Sequence, residues 1–197
     1  MRSVNITIKA LLLLLFMINT AAALWTPLFS VFVINHIMGA TLATIGITGA
    51  IYSIMKSSLQ IPIAKYLDAS VGEKSDFIII SSGVFLAGIS SFSLIFIDRI
   101  WELVCIQIVW GIADACTMAA YYSIFSHHID KKSAAFEWSL FSVGGMTVAI
   151  ALGGLAGGFA TQAYGFPVVF LAAGTLNMIA FLMLITFYPR IRTIARI

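Results

Sequence analysis

A chain of 197 residues with 61% hydrophobic residues, 10% charged residues and a mean hydropathy of +1.05 cannot cover itself with the charged surface a soluble domain needs. The net charge of +3 does not mark a nucleic-acid binder, because the cations sit at the ends of apolar runs instead of on one basic face. A hydrocarbon core about 30 Å thick takes roughly 20 apolar helical residues to cross, and several runs reach that length, so an all-α polytopic membrane protein is expected.

Six runs are long enough, at about 9–36, 42–64, 77–97, 103–126, 135–162 and 166–188, and their short connections make one bundle over residues 1–197. The first begins with Arg2 and Lys9 ahead of Leu11–Leu15 and Ala21-Ala22-Ala23, the outline of a signal peptide with a small-residue cleavage site. Its apolar stretch continues through Leu24, Trp25 and Leu28 to Ile34, too long for a signal segment, and cleavage would leave five spans. We read it as a span. Asn19 lies about 15 Å into it, on a face with Ala22, Ala23, Thr26 and Ser30.

The second run holds Lys56 about 12 Å in, on a face with Gly49, Tyr52, Ser53 and Gln60. A charged loop with Asp68, Gly72, Glu73 and Lys74 follows, and the third run leads to Asp98, Arg99 and Glu102. The fourth run holds Asp114 about 18 Å in, on a stripe of Gln107, Trp110, Gly111, Met118, Tyr121 and Phe125. Cys105 and Cys116 stand roughly 16 Å apart along this helix and cannot bridge each other. His127 and His128 point different ways with no accompanying ligand set, so we read them as interfacial loop residues, with His36 at the opposite surface, and expect no metal and no cofactor.

Glu137 enters the fifth run by about a turn and is expected to pair with Lys131 and Lys132 at the interface. The same run carries Gly144-Gly145, Gly153-Gly154 and Gly157-Gly158, and Gly costs about 1 kcal/mol in an ordinary helix. The spacings Gly153/Gly157 and Gly154/Gly158 repeat the small-xxx-small pattern of close helix contact, within the chain or between chains.

Arg2, Lys9, Lys65, Lys74, Lys131, Lys132, Arg190, Arg192 and Arg196 all fall on one side of six spans, and Arg99 alone on the other. The asymmetry predicts both termini in the cytoplasm, in the cell membrane. Three spans followed by three more start from opposite sides, the arrangement of inverted three-helix repeats, although the halves share no residue-level match. Asn19, Lys56 and Asp114 fall in one layer near the midplane. An ionisable group there costs at least about 2.5–3.5 kcal/mol and marks a functional candidate. A solute pathway through Asn19, Lys56, Asp114, Trp110, Tyr121, Tyr52 and Gln107 competes with a purely structural Lys56–Asp114 lock. Both readings place the two charges close together.

With these residues in place, the chain resembles the N-terminal six-helix half of a major facilitator superfamily transporter. The loop after the second span is similar to the family's Gly-x-x-x-Asp-Arg/Lys-x-Gly-Arg-Arg/Lys element: Asp68 matches, Ala64 and Ala69 replace Gly and the basic residue, and Gly72-Glu73-Lys74 follows one position late. Residues Gly153 to Gly158 resemble the Gly-Pro-x-x-Gly-Gly element associated with exporters, with Gly154 where Pro is usual. Ala163-Tyr164-Gly165-Phe166 and Phe170 resemble the aromatic start of the sixth helix, and Gly111 fits an Arg-x-x-x-Gly pattern whose basic position is Gln107.

The resemblance implies a half bundle of 3+3 inverted repeats. Asp68, Gly72 and Lys74 would belong to a gating loop that helps latch two halves. The implied activity is transport of a small solute by alternating access, in which two six-helix bundles rock about a midplane site. The second bundle would be another copy in a homodimer, ranked first because two-fold assembly is the commonest symmetric solution, or a separate partner half. A non-transporting membrane scaffold, a truncated remnant and an intramembrane enzyme are the alternatives. The last lacks a Gly-x-Ser-Gly nucleophile with a buried His and lacks a His-Glu-x-x-His motif.

Overall fold

The computed structural model describes residues 5–70 and 72–194, with side chains as far as Phe187. Arg2 and Arg196 lie outside the described residues, as do the side chains of Arg190 and Arg192. Backbone groups in hydrocarbon must bond within their own segment, and the chain meets that demand with helices arranged as six rods. The first rod is α1 (Ile6–Ala23), a 3-10 turn (Thr26–Leu28) and α2 (Phe29–His36). The second is α3 (Leu42–Ala69), the third α4 (Lys74–Ser93) and the fourth α5 (Ile100–His128). The fifth joins α6 (Ala134–Ser139), a π-helical stretch (Leu140–Val148) and α7 (Ala149–Tyr164), and the sixth is α8 (Phe166–Ile194).

Five rods are long and apolar enough to cross a membrane: Ile6–His36, Lys74–Ser93, Ile100–His128, Ala134–Tyr164 and Phe166–Phe187. The exception is α3. Its 28 residues give it the length, but Ser53, Lys56, Ser57, Ser58 and Gln60 dilute its apolarity.

The first rod is broken where a continuous helix is expected over 9–36. Pro27 has no N–H and cannot join an α-ladder, so the chain narrows to a 3-10 turn and resumes as α2 at Phe29. Trp25, just before the break, is buried at 2% exposure.

α5 packs between α3 and α4, α1 packs between the fifth rod and α8, and α4 against α8 joins the two groups. Buried apolar residues form two clusters. One gathers Ile8, Leu11, Leu14 and Leu15 of α1 with Ile80, Val84, Tyr121, Phe125 and Leu184. The other gathers Trp25, Phe32 and Val33 with Leu94, Leu103, Phe166 and Phe170. They occupy opposite ends of the bundle and leave the polar residues between them.

Cross-ties at the ends hold neighbouring rods side by side. At one end the Met38 N–H donates to the Asp98 carbonyl at 2.8 Å, joining the connections before α3 and before α5. There the Glu102 carboxylate also accepts from the backbone N–H groups of Asp98 (2.9 Å) and Arg99 (3.1 Å), satisfying donors at the start of α5. At the other end His128 Nε2 lies 3.3 Å from Glu73 Oε1, joining the end of α5 to the start of α4.

The glycines of the fifth rod divide between two faces. A Cβ on Gly153 would stand 2.7 Å from the Thr20 carbonyl oxygen, and one on Gly157 would collide with the backbone of Leu24. These two glycines bring the rod against α1. A Cβ on Gly144 or Gly158 would meet nothing within 4 Å. Gly157→Val is therefore expected to cost about 3 kcal/mol or more, because rigid backbone opposes the new side chain. Gly158→Ala is expected to be neutral or to stabilise by up to about 1 kcal/mol through helix propensity. Thermal unfolding of the two purified variants, followed by size-exclusion chromatography, checks the contrast.

Candidate functional site in the bundle centre

The site is built on the crossing of α3 and α5. Gly111 on α5 has no side chain, and a Cβ there would lie 2.7 Å from the Tyr52 carbonyl oxygen and 2.8 Å from Met55 Cβ. The missing methyl lets α5 approach the α3 backbone at Tyr52–Lys56. Asp114 stands one turn further along α5, within reach of both side chains. Lys56 Nζ lies 2.7 Å from Asp114 Oδ2, and the Tyr52 hydroxyl donates to that same oxygen. The second carboxylate oxygen, Oδ1, has no hydrogen-bond partner among the described residues. The side chains of Lys56 and Asp114 remain 32% and 23% exposed, so the pair sits at the edge of an open space, not sealed in the core.

That space is a cavity of about 390 Å³, within the range of roughly 300–1,000 Å³ typical of small-molecule sites. Five of the six rods line it. α1 and its break contribute Asn19, Ala22, Trp25, Thr26 and Phe29, and α3 contributes Gly49 and Tyr52. α4 adds Ala87 and Ser91, α5 adds Gln107, Trp110, Asp114, Thr117 and Met118, and α8 adds Asn177.

The aromatic side chains form one continuous wall. Trp25 and Trp110 have ring centroids 4.0 Å apart, Trp25 and Phe29 are 5.5 Å apart, and Tyr52 meets Trp110 edge-on at 5.9 Å. Gln107 and Asn177 are each 5% exposed, and neither side-chain amide has a hydrogen-bond partner among the described residues. A buried amide without a partner is costly, and both border the cavity, where a ligand or water could serve them.

The residues singled out from the sequence distribute as follows. Asn19, Tyr52, Gln107, Trp110 and Asp114 border the cavity, and Lys56 reaches Asp114 from beside it. The Asn19 amide donates to the Leu15 carbonyl at 2.9 Å and to the Gly145 carbonyl at 3.1 Å, so it also ties α1 to the π-helical stretch. Tyr121 does not reach the cavity. It shares the face of Asp114 but lies two turns further along, fully buried against Phe125 and Phe141 in an apolar cluster that forms the floor.

In the charged loop, Asp68 and Lys74 are exposed, and Gly72 adopts φ +81, a left-handed conformation that a side chain would strain. Gly153 and Gly157 pack on α1, a Cβ on Gly154 would stand 3.7 Å from Pro27, and one on Gly158 would meet nothing within 4 Å. Asn177, Trp25 and Phe29 went unmarked in the sequence. A lone Asn in an apolar run was the available signal for the first, and Thr26-Pro27 for the other two.

Two interfacial expectations need correction. Glu137 is 3% exposed and takes hydrogen bonds from the Asp130 N–H and the Ser133 hydroxyl, both at 3.2 Å, instead of facing Lys131 and Lys132. His128 belongs to the last turn of α5, with Nδ1 3.0 Å from the Ile124 carbonyl and Nε2 toward Glu73, so it is a packed helix terminus and not a loop residue. Among the described residues no group of three or more His, Cys, Asp and Glu is placed to hold a metal, and Cys105 and Cys116 are both free thiols.

Residues 11–195, almost the whole chain, match the family model of the Major Facilitator Superfamily. No curated protein and no solved structure matches the chain.

The geometry predicts strong coupling between α3 and α5. Lys56→Met leaves a partly desolvated carboxylate with one donor, and is expected to cost about 1–3 kcal/mol, toward the lower end because the pair is partly exposed. The exchange Lys56→Asp with Asp114→Lys should recover part of that loss, where either change alone recovers none. Thermal unfolding of the singles and the double supplies the cycle.

Proposed function

This chain belongs to the major facilitator superfamily, a family of membrane transporters, and we propose that it moves a small solute by alternating access together with a second six-helix bundle. The observation that carries the reading is the central cavity: an ion pair, two unpartnered amides and an aromatic wall between two apolar clusters. A structural lock alone leaves the amides of Gln107 and Asn177 and the free oxygen of Asp114 without a role.

Three further observations support the architecture. Exchanging rods one, two and three for four, five and six maps the second–fourth contact onto the fifth–first and the third–fourth onto the sixth–first, and leaves third–sixth in place. That symmetry supports a three-plus-three repeat. The excess of Lys and Arg on one side supports cytoplasmic termini in the cell membrane. The outer face of α3 mixes exposed Ile47, Ile54 and Ile61 with exposed Ser53, Ser57 and Ser58, a poor surface for lipid and a better one for protein.

We take the second bundle to be a second copy of the chain, on the ground of two-fold assembly, with outward transport resting on the resemblance of the Gly153–Gly158 element alone. Asp68 supports a latch between bundles. It stands at the C-terminal end of α3, where the helix dipole disfavours an acid, and no ion pair holds it among the described residues. A non-transporting scaffold would use the open face of Gly144 and Gly158 equally well.

Single cysteines separate these readings without knowledge of the solute. In a chain with Cys105 and Cys116 replaced by Ser, Ala22→Cys and Ser91→Cys are introduced in turn and the protein is reconstituted in vesicles of known orientation. Alternating access predicts modification by an impermeant thiol reagent added to either side. Reaction from one side only, or from neither, would count against the cycle. The assembled mass in lipid discs is expected at twice the chain mass, and a strict monomer would remove the homodimer.

A further inference from the structure

The chemistry around Asp114 names a class of ligand, and this inference rests on the cavity being a ligand site as proposed above. Among the residues that border the cavity, Asp114 alone carries a formal charge. Its Oδ2 is occupied twice, by the Lys56 ammonium at 2.7 Å and by the Tyr52 hydroxyl. Oδ1 has no hydrogen-bond partner among the described residues, and the Asp114 side chain is 23% exposed. The same cavity is lined by the aromatic residues Trp25, Phe29, Tyr52 and Trp110, whose ring faces attract positive charge.

Lys56 is absent from the cavity lining, its Nζ 6.0 Å from the Tyr52 ring centroid. The buried amides of Gln107 and Asn177, 5% exposed and unpartnered, border the same space and offer both donors and acceptors.

We propose that the cavity takes an amphipathic organic cation, an amine or quaternary ammonium on an aromatic-sized body, docked on Asp114 Oδ1 and packed on the Trp25–Trp110 wall. An anion is disfavoured, because the cavity lining offers it a carboxylate and aromatic rings but not Lys56. Lys56 has two effects in this arrangement. It supplies the carboxylate with a counter-charge when the site is empty, and it repels an arriving cation at close range. Removing its charge should therefore strengthen binding of a cation, the opposite of what a direct ligand contact would do.

The test uses the full chain in lipid discs and reads the fluorescence of Trp25 and Trp110, two of its four tryptophans. The probes are tetraphenylphosphonium and tetraphenylborate, nearly equal in shape and opposite in charge. Saturable quenching by the cation, with the borate at least about tenfold weaker, is the expected result, since one charge-assisted contact corresponds to a factor of this order. Asp114→Asn should weaken the cation about tenfold or more, and Lys56→Met should tighten it several-fold.

Equal binding of the two ions, or preference for the borate, overturns the proposal on the unaltered chain, so a variant that fails to fold does not protect it. Loss of cation binding in a folded Lys56→Met protein overturns it as well. Saturable cation binding in a chain whose cavity is never reached from both sides would keep the ligand class and remove the transport cycle. Access from both sides without cation preference would do the reverse.

Discussion

The centre of this molecule depends on how closely α3 and α5 cross. At Gly111 a hydrogen stands where any other residue would place carbon, and the α3 backbone fills the gap from Tyr52 to Lys56. Without that approach each charge would lose its partner, at the cost of about 1–3 kcal/mol expected for a partly exposed pair. With it they neutralise each other at 2.7 Å, Tyr52 is drawn to the same oxygen, and Trp110 gains an edge contact with Tyr52. The wall continues to Trp25 of the first rod, just before the Pro27 break. Close packing at one glycine thus sets the position of charges and rings on three rods.

Helical geometry made much of the polar layer legible before any coordinates. Depth follows from 1.5 Å per residue and facing from the 3.6-residue turn, and both are local properties of the chain. Asn19, Tyr52, Gln107, Trp110 and Asp114 came from that arithmetic and border one cavity. Tyr121 fails for a tertiary reason: its face is right, but the floor is set by side chains from α1, α4 and the fifth rod that no single helix reveals. Asn177 lacks a polar stripe because its own helix contributes only one cavity residue. Trp25 and Phe29 fall at i+7 and i+11 from Ile18, on the stripe that borders the cavity, but being apolar they do not stand out from the residues that make the run a span. Glu137 and His128 show a similar limit at the ends of helices. Hydrogen bonds to nearby backbone and to Ser133 and Glu73 outweigh a nearby opposite charge in the sequence.

The fifth rod carries its glycines in two rows with different tasks. Gly153 and Gly157 bring the rod against the backbone of α1 beside the Pro27 break, so they help fix the place where the cavity's indole stands. Gly144 and Gly158 face outward with exposed Leu155 and Phe159 nearby, a surface of small and large residues that another helix could mesh with. The small-xxx-small pattern alone does not reveal this division, because Gly154/Gly158 repeats the spacing of Gly153/Gly157 although a Cβ on Gly158 would meet nothing. Only the neighbours of each glycine distinguish contact within the bundle from contact beyond it.

The π-helical stretch at Leu140–Val148 has a consequence for the chain's tolerance of length. A π turn holds more residues than an α turn of the same height, and the Thr147 hydroxyl bonds back to the Ser142 carbonyl at 3.0 Å, five residues earlier, in keeping with the wider coil. The rod therefore stores slack. A deletion of one residue here could be taken up by tightening the coil, leaving Phe141 on its cluster and Gly153 on α1, whereas the same deletion in α5 would rotate Asp114 by about 100° away from Lys56. Between these two helices the chain divides its evolutionary freedom: one can change its count and keep its partners, and the other cannot lose a single residue without losing the centre.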